Sequence, residues 1–309
     1  MRSTRLLASP AALAALAALA TACGPAATAP AGGGGGTAPT PPADPPAPVA
    51  AGALVRASLL AGDWQPADDV GLRVSWLRPG GPTGAIYGVV LQASPLVWVV
   101  DDEPGDGADG SIDDRALRLW QYDGAAPMIC DEVRGADATA AGPDDGTLAL
   151  RCADGQATMT IRRDGAAIAF ETRAGTTTTT ARFTPAAGPG GLALEDADRA
   201  FDAATSARGP AGWVDAFAPD GVMWTGADAA QGADAIRAAI TPVLVDATLR
   251  WEPKVGRLSA DGQLGATAGT WVSASREAPD QQITGTYITV WRKLDGAWKV
   301  IFDVGRPDR

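Results

Sequence analysis

Apolar residues follow two different rhythms along the chain. Between residues 54 and 185 they come in short alternating runs that read as strands at 72–78, 85–92, 96–101, 116–122, 128–133, 148–152, 157–162, 167–173 and 176–183. Turn signals separate them: Pro79-Gly80-Gly81-Pro82, Asp123-Gly124, Asp154-Gly155 and Asp164-Gly165. Short strands at this spacing with no long helical stretch predict an antiparallel barrel or sandwich. After a linker, Ala187-Gly188-Pro189-Gly190-Gly191, the rhythm changes. Leu194, Ala197, Phe201 and Ala204 recur at helical spacing, and a second short helix spans 210–217. A short strand follows at Val222-Met223-Trp224, then a helix over 233–244 with Ile236, Ile240 and Val243 on one face. Four longer strands end the chain at 248–257, 264–275, 282–293 and 297–304, giving the order α-α-β-α-β-β-β-β.

The last two strands form a hairpin about Leu294-Asp295-Gly296-Ala297. Alternation puts Tyr287, Thr289 and Trp291 on one side of the first strand and Ile288, Val290 and Arg292 on the other. On the second strand it sets Trp298, Val300, Phe302 and Val304 against Lys299, Ile301, Asp303 and Gly305.

Residues 1–51 carry neither rhythm. Arg2 and Arg5 precede an Ala/Leu-rich run that ends at Ala20-Thr21-Ala22-Cys23. This resembles a bacterial lipoprotein signal, with residues 1–22 removed and Cys23 lipidated; Ala20-Thr21-Ala22 also fits the small-residue site of ordinary secretion. Gly24 after the cysteine implies sorting to an outer membrane, facing the periplasm or the surface. Residues 23–51 are rich in Pro, Gly and Ala and hold no aromatic residue. Such a stretch buries too little to fold, and reads as a tether between a membrane lipid anchor and the folded regions 52–186 and 192–309.

Composition narrows the chemistry. With 25 Lys+Arg against 36 Asp+Glu the chain carries a formal charge of -11, which disfavours nucleic acid as a partner. The sequence has no histidine, so Ser-His-Asp and Cys-His nucleophiles and His-bound metals are excluded. Cys130 shares a strand face with Met128, and Cys152 with Leu148 and Leu150. In an oxidising compartment two such core-facing cysteines favour a disulfide. The acidic loop 101–114 lacks the alternating spacing of a helix-loop-helix calcium site and reads as a solvated hairpin loop, so no metal and no cofactor are expected.

Two further resemblances rest on longer phrases. LLAGDWQPADDVGLRVSWLRPGGPTGAIYG is similar to the start of lipocalin-like exported domains, where a Gly-x-Trp, here Gly62-Asp63-Trp64, plugs one end of a barrel. DADRAFDAA, FAPDGVMW, WEPKVGRLSADGQLGATAGTW and GTYITVWRKLDGAWKVIFDVGRP, in that order, resemble the nuclear-transport-factor-2-like superfamily, also called SnoaL-like or ketosteroid-isomerase-like. The expected fold is thus an antiparallel lipocalin-like barrel followed by a cone-shaped α+β domain, with a curved antiparallel sheet over three helices and a conical pocket. The resemblance also implies a homodimer through the exposed sheet face.

That superfamily holds isomerases, cyclases, hydrolases, dehydratases and non-enzymes, so activity has to be argued from residues. Asp198 falls on the apolar stripe of the first helix and Asp303 among apolar neighbours on the last strand. Each is either a hydrogen-bonded structural group or a working acid. With Tyr287, the only tyrosine of the C-terminal region, they are the candidate catalytic residues. Ketosteroid isomerase chemistry uses Asp and Tyr, but its tyrosine belongs to the first helix, where this chain has Phe201. Trp224, Trp271 and Trp291 are the candidate ligand-binding residues; each either lines an apolar pocket or fills the core. The leading expectation is binding of a small apolar or amphipathic ligand without turnover. The alternatives are an isomerase, dehydratase or hydrolase using the carboxylates, and an envelope scaffold that binds protein.

Overall fold

The computed structural model describes residues 57–67, 73–81, 84–92, 95–103, 116–122, 127–133, 147–152, 155–186, 190–225 and 228–308. The expectations for the leader, Cys23 and the tether lie outside the described residues, as do positions 104–114 of the acidic loop.

The N-terminal unit is a closed barrel of ten antiparallel strands: β1 (Gly62–Pro66), β2 (Val74–Leu77), β3 (Ile86–Val90), β4 (Leu96–Glu103), β5 (Ala116–Tyr122), β6 (Met128–Glu132), β7 (Thr147–Cys152), β8 (Ala157–Asp164), β9 (Ala167–Ala174) and β10 (Thr177–Pro185). Each strand pairs with its neighbour in sequence, and β1 also pairs with β10, so no edge is left open. The Gly-x-Trp segment is therefore strand β1, which the alternation pattern does not reveal. Its Trp64 indole donates to Leu60 O at 2.7 Å, from the 3-10 turn Ala57–Leu60, and is buried with the barrel interior. Inside, Trp76 stacks on Trp98 at 5.5 Å. Gly88 makes room for that pair, because a Cβ there would lie 2.7 Å from the Trp76 ring. Cys130 and Cys152 face each other across β6 and β7 and are joined by a disulfide.

The C-terminal unit has three helices, α1 (Leu192–Arg208), α2 (Pro210–Ala216) and α3 (Gly232–Asp246), with six strands: β11 (Phe217–Thr225), β12 (Asp228–Gln231), β13 (Ala247–Leu258), β14 (Leu264–Ser275), β15 (Gln282–Leu294) and β16 (Ala297–Pro307). The sheet order is β12-β11-β16-β15-β14-β13. All pairs are antiparallel except β11 with β16, which run parallel, so the chain must cross the sheet through α3 and the long meander before closing. Strand β12 has no counterpart in the expected order; its sequence, DAAQ, carries no alternating apolar signal.

Two local features shift the predicted faces. Trp291 pairs with Val300 while Val290 pairs with Phe302, so Ile301 is an extra residue in a bulge. Val300 therefore packs on the helix side with Trp291, whereas Phe302 and Val304 turn to the opposite side. Strict alternation assigned all three to one face. On α3 the buried stripe is Ile236, Ile240 and Leu244, an i, i+4, i+8 row; Val243 sits beside it at 41% exposure.

The sheet is covered on both faces. Helices pack on the inner one. The outer face, carrying Ala266, Ala268, Ile288, Val290, Phe302 and Val304, is buried against the outside of the barrel at Tyr87, Val89, Val97, Val99, Trp120 and Tyr122. Polar contacts fix the alignment. Tyr87 and Thr286 share a 2.9 Å hydroxyl hydrogen bond, and Arg257 Nε donates to both oxygens of Asp63 at 2.9 and 3.0 Å. The Arg306 guanidinium lies 3.9 Å from the centre of the Trp120 ring and donates to Tyr122 Oη at 3.1 Å. The sheet face through which the family resemblance implies a dimer is thus the face that the barrel covers.

Ile288 is fully buried at this junction. Ile288→Asp would strand a carboxylate between the two units and is expected to cost more than about 3 kcal/mol in chemical denaturation. Gln282→Asp, on an exposed part of the same strand, should stay within about 0.5 kcal/mol. Equal effects of the two substitutions would mean that the packed junction contributes nothing to stability.

Candidate functional site

The site is built on α1. Its buried stripe is Leu194, Asp198, Phe201, Asp202 and Thr205, so helical spacing turns two carboxylates toward the sheet together with a ring. Asp202 clamps the helix to β13: it accepts three hydrogen bonds from Arg250, at 2.7 to 3.1 Å, and one from Trp251 N at 3.1 Å. Asp198 is completely buried. It accepts Tyr287 Oη–H at 2.8 Å on one oxygen and Trp251 Nε1–H at 2.7 Å on the other, and the Thr267 hydroxyl also bonds to it. Thr267 in turn accepts from Trp291 Nε1 at 2.8 Å. One carboxylate thereby fixes side chains from β13, β14 and β15. Burial raises the Asp198 pKa, a trend opposed by these three donors and reinforced by the nearby Asp202.

Between the helices and the inner sheet face lies a cavity of about 290 Å³. Phe201, Trp213, Trp224, Trp251, Trp271 and Tyr287 supply the rings of its lining. Phe201, Trp213 and Trp251 pack with centroids 4.7 to 5.3 Å apart in tilted and edge-on arrangements. Val243 and Ile283, 41% and 59% exposed, also line it and give it an apolar border toward solvent. Two glycines on neighbouring strands make room for the rings. A Cβ at Gly269 would lie 2.7 Å from the Tyr287 ring, and one at Gly285 would lie 2.4 Å from Trp271.

Among the described residues, Asp303 is the one ionisable carboxylate in the lining. It comes from β16, next to β15, and its Oδ1 accepts Thr289 Oγ1–H at 2.7 Å. Its Oδ2 has no protein partner among the described residues. Burial pushes the Asp303 pKa from an ordinary 3.8 up to about 7; the Thr289 hydrogen bond opposes the rise and the negative charge of Asp198 adds to it. Burial, and then the adjacent Asp198, raise the Tyr287 hydroxyl well above its usual range, so it stays protonated and donates to Asp198.

Of the residues singled out in the sequence, Asp303, Tyr287, Trp224 and Trp271 line the cavity. Asp198 stands behind its wall, holding Tyr287 and Trp251 from the back. Trp291 is only 1% exposed and fills the core at a centroid distance of 6.1 Å from Phe201, so it is a supporting residue and not a lining one. It shares a face with Tyr287 and Thr289, but it lies further along β15, where Phe201 of α1 covers that face. Trp224 both borders the cavity and packs its ring 4.9 Å from Tyr122 of the barrel. Phe201, Trp213, Met223, Ser273 and Thr289 also line the cavity. Phe201 was legible as part of the apolar stripe of α1; Trp213, on the short helix α2, and the strand residues carry no pattern that separates a cavity wall from a core.

Residues 197–301 match the family model of the SnoaL-like domain. No protein of curated function matches the chain. Among solved structures, it is similar to a ketosteroid isomerase-like protein from Erwinia carotovora atroseptica, at 16% identity over 38% of this chain and 96% of that one, with a TM-score of 0.34. An NTF2-like protein of unknown function from Pseudomonas putida is 17% identical over 38% of this chain and 88% of its own, with a TM-score of 0.32. A protein of unknown function with a cystatin-like fold from Nostoc punctiforme is 16% identical over 38% and 90%, at 0.33. The SnoaL-like match begins one residue before Asp198 and ends two before Asp303, so the carboxylate behind the cavity falls inside it and the one in the lining falls just beyond.

The two aspartates predict opposite responses in thermal and chemical melts. Asp198→Ala leaves Tyr287 and Trp251 donors buried without an acceptor and should cost about 2–4 kcal/mol. Asp303 binds its proton more tightly folded than unfolded, so its contribution is most favourable at low pH and is lost as pH rises from 3.8 to about 7. Asp303→Asn should therefore gain about 2–3 kcal/mol on the parent protein between pH 5 and pH 8. A gap between variant and parent that does not change with pH would show that Asp303 is not perturbed.

Proposed function

We propose that the SnoaL-like region binds a small apolar or amphipathic molecule in its cavity, without turning it over. The observation that carries this reading is a cavity of about 290 Å³ whose described lining residues include six aromatic side chains and a single carboxylate. A ligand's apolar body would displace water from the rings, and one polar group would meet Asp303. Turnover needs a second acid, base or oxyanion donor beside the first. Tyr287 is the natural candidate, and its hydroxyl hydrogen is committed to Asp198. Screening the purified chain against small apolar and amphipathic molecules should give compounds that raise its melting temperature and quench tryptophan emission. Trp271→Ala should weaken them, because that ring lines the cavity. A screen of several hundred such molecules with no stabilising compound would sink the reading.

One feature favours an isomerase, dehydratase or hydrolase instead: burial pushes the Asp303 pKa up to about 7, into the range where a general base works best. A base that removes a proton next to a carbonyl, as in an isomerase or dehydratase, requires solvent deuterium to enter a bound carbonyl compound at a rate that Asp303→Asn abolishes; a hydrolase requires cleavage of an ester or epoxide at such a rate, and non-catalytic binding leaves both kinds of compound unchanged.

We further propose that the mature chain is exported and held at the cell envelope, facing the periplasm or the surface of an outer membrane, by a lipid on Cys23. Arg2, Arg5 and the apolar run that ends at Ala22 support this. Cells fed labelled palmitate should yield a labelled protein, and Cys23→Ala should yield none; an unlabelled parent protein would overturn the anchor.

A further inference from the structure

The composition of the cavity lining points to a narrower ligand class. We propose that the molecule bound there is a small organic cation, an alkyl- or arylammonium whose charge sits beside Asp303 among the tryptophan rings. This rests on the reading above that the cavity binds a ligand.

Three features of the site argue for positive charge. First, the lining holds Trp213, Trp224, Trp251 and Trp271 together with Phe201 and Tyr287, and indole is the best of the side chains that attract a cation to a π face. Second, the one ionisable carboxylate among the described lining residues has Oδ1 held by Thr289 and Oδ2 without a partner among those residues. A buried carboxylate in apolar surroundings is costly unless paired, and a bound ammonium supplies the pair. Third, no Lys or Arg is among the described residues that line the cavity. Arg250 is engaged by Asp202, Arg292 by Asp220, and Arg306 lies on the opposite face of the sheet against Trp120.

The other groups around Asp303 act in the same direction. Asp198, on α1, adds negative potential behind the wall, and Tyr287, on β15, is neutral. An anionic ligand would meet Asp303 in the lining, with Asp198 behind it. A neutral ligand would leave Asp303 without a counter-charge, or would require it to hold a proton. The acidic chain as a whole, at a formal -11, draws cations toward the molecule.

The pH dependence follows with a definite sign. Burial pushes the Asp303 pKa up to about 7. A bound cation lowers it, because an adjacent positive charge favours the ionised form. Cation affinity therefore rises with pH toward 7 and levels off above it, while a neutral ligand gains nothing from that rise.

The test uses the purified full-length chain and two probes of equal shape, benzyltrimethylammonium and its uncharged carbon isostere neopentylbenzene, titrated by calorimetry and tryptophan emission. The permanent cation carries no titrating proton of its own, so any pH dependence belongs to the protein. At pH 8.5 the cation should bind at least about tenfold more tightly than the isostere. At pH 5.5 that preference should fall by about tenfold or more, and Asp303→Asn, which keeps an acceptor for Thr289, should hold it at that lower level at both pH values. Should the variant fail to fold, the pH series on the parent protein decides. If neopentylbenzene binds as tightly as the cation at pH 8.5, the cation proposal falls and the apolar cavity stands. If neither probe binds, the cation proposal falls, and the wider screen decides whether the cavity takes an uncharged molecule.

Discussion

The whole molecule depends on burying one sheet twice. The six C-terminal strands carry apolar side chains on both faces, and a sheet of that kind needs a cover on each. Three helices cover the inner face but stop short of filling it, and the space they leave is the cavity. The outer face is covered by the barrel wall, with Tyr87, Val97, Val99 and Tyr122 packed onto Ile288, Val290, Phe302 and Val304. The two units are thus joined by a shared core, and the short polar contacts at its margins, Tyr87 to Thr286 and Asp63 to Arg257, set which strands meet.

On the inner face the two aspartates divide the labour that the sequence left undivided. Asp198 accepts from Tyr287, Trp251 and Thr267 and so holds the cavity wall in place from outside it. Asp303 stands in the lining with one oxygen anchored and the other uncommitted. Both have raised pKa values, and both for burial first. A raised pKa alone would not separate them; the count of hydrogen bonds on each carboxylate does. A group saturated by three donors is a strut, and one left with an open oxygen in an apolar chamber is available to a ligand.

Much of this was legible before any coordinates. The barrel strands from β2 to β10, the three helices and the four long strands follow from period and turn chemistry, because both are local properties of the chain. Even the covered barrel wall left a trace. Ile86-Tyr87-Gly88-Val89-Val90 and Leu96-Val97-Trp98-Val99-Val100 do not alternate with polar residues, whereas β8 and β10 do, and a strand without a polar side has no face for water. Strand β12 and the Ile301 bulge left no such trace. The first has no apolar pattern, and the second is a mismatch between two strands that neither strand records alone.

The sequence by itself determined which segments are strands and helices, that histidine chemistry is excluded, and that Asp198, Asp303 and Tyr287 deserve inspection, since residue type and spacing are written in the chain. The tertiary structure decided how those groups differ. It placed Trp291 in the core and Trp213 in the cavity, covered the outer sheet face with the barrel, and brought Asp198 and Tyr287, 89 positions apart, to 2.8 Å. Burial, pairing and open space are properties of what surrounds a side chain, and in this protein those surroundings come from strands and helices far away in sequence.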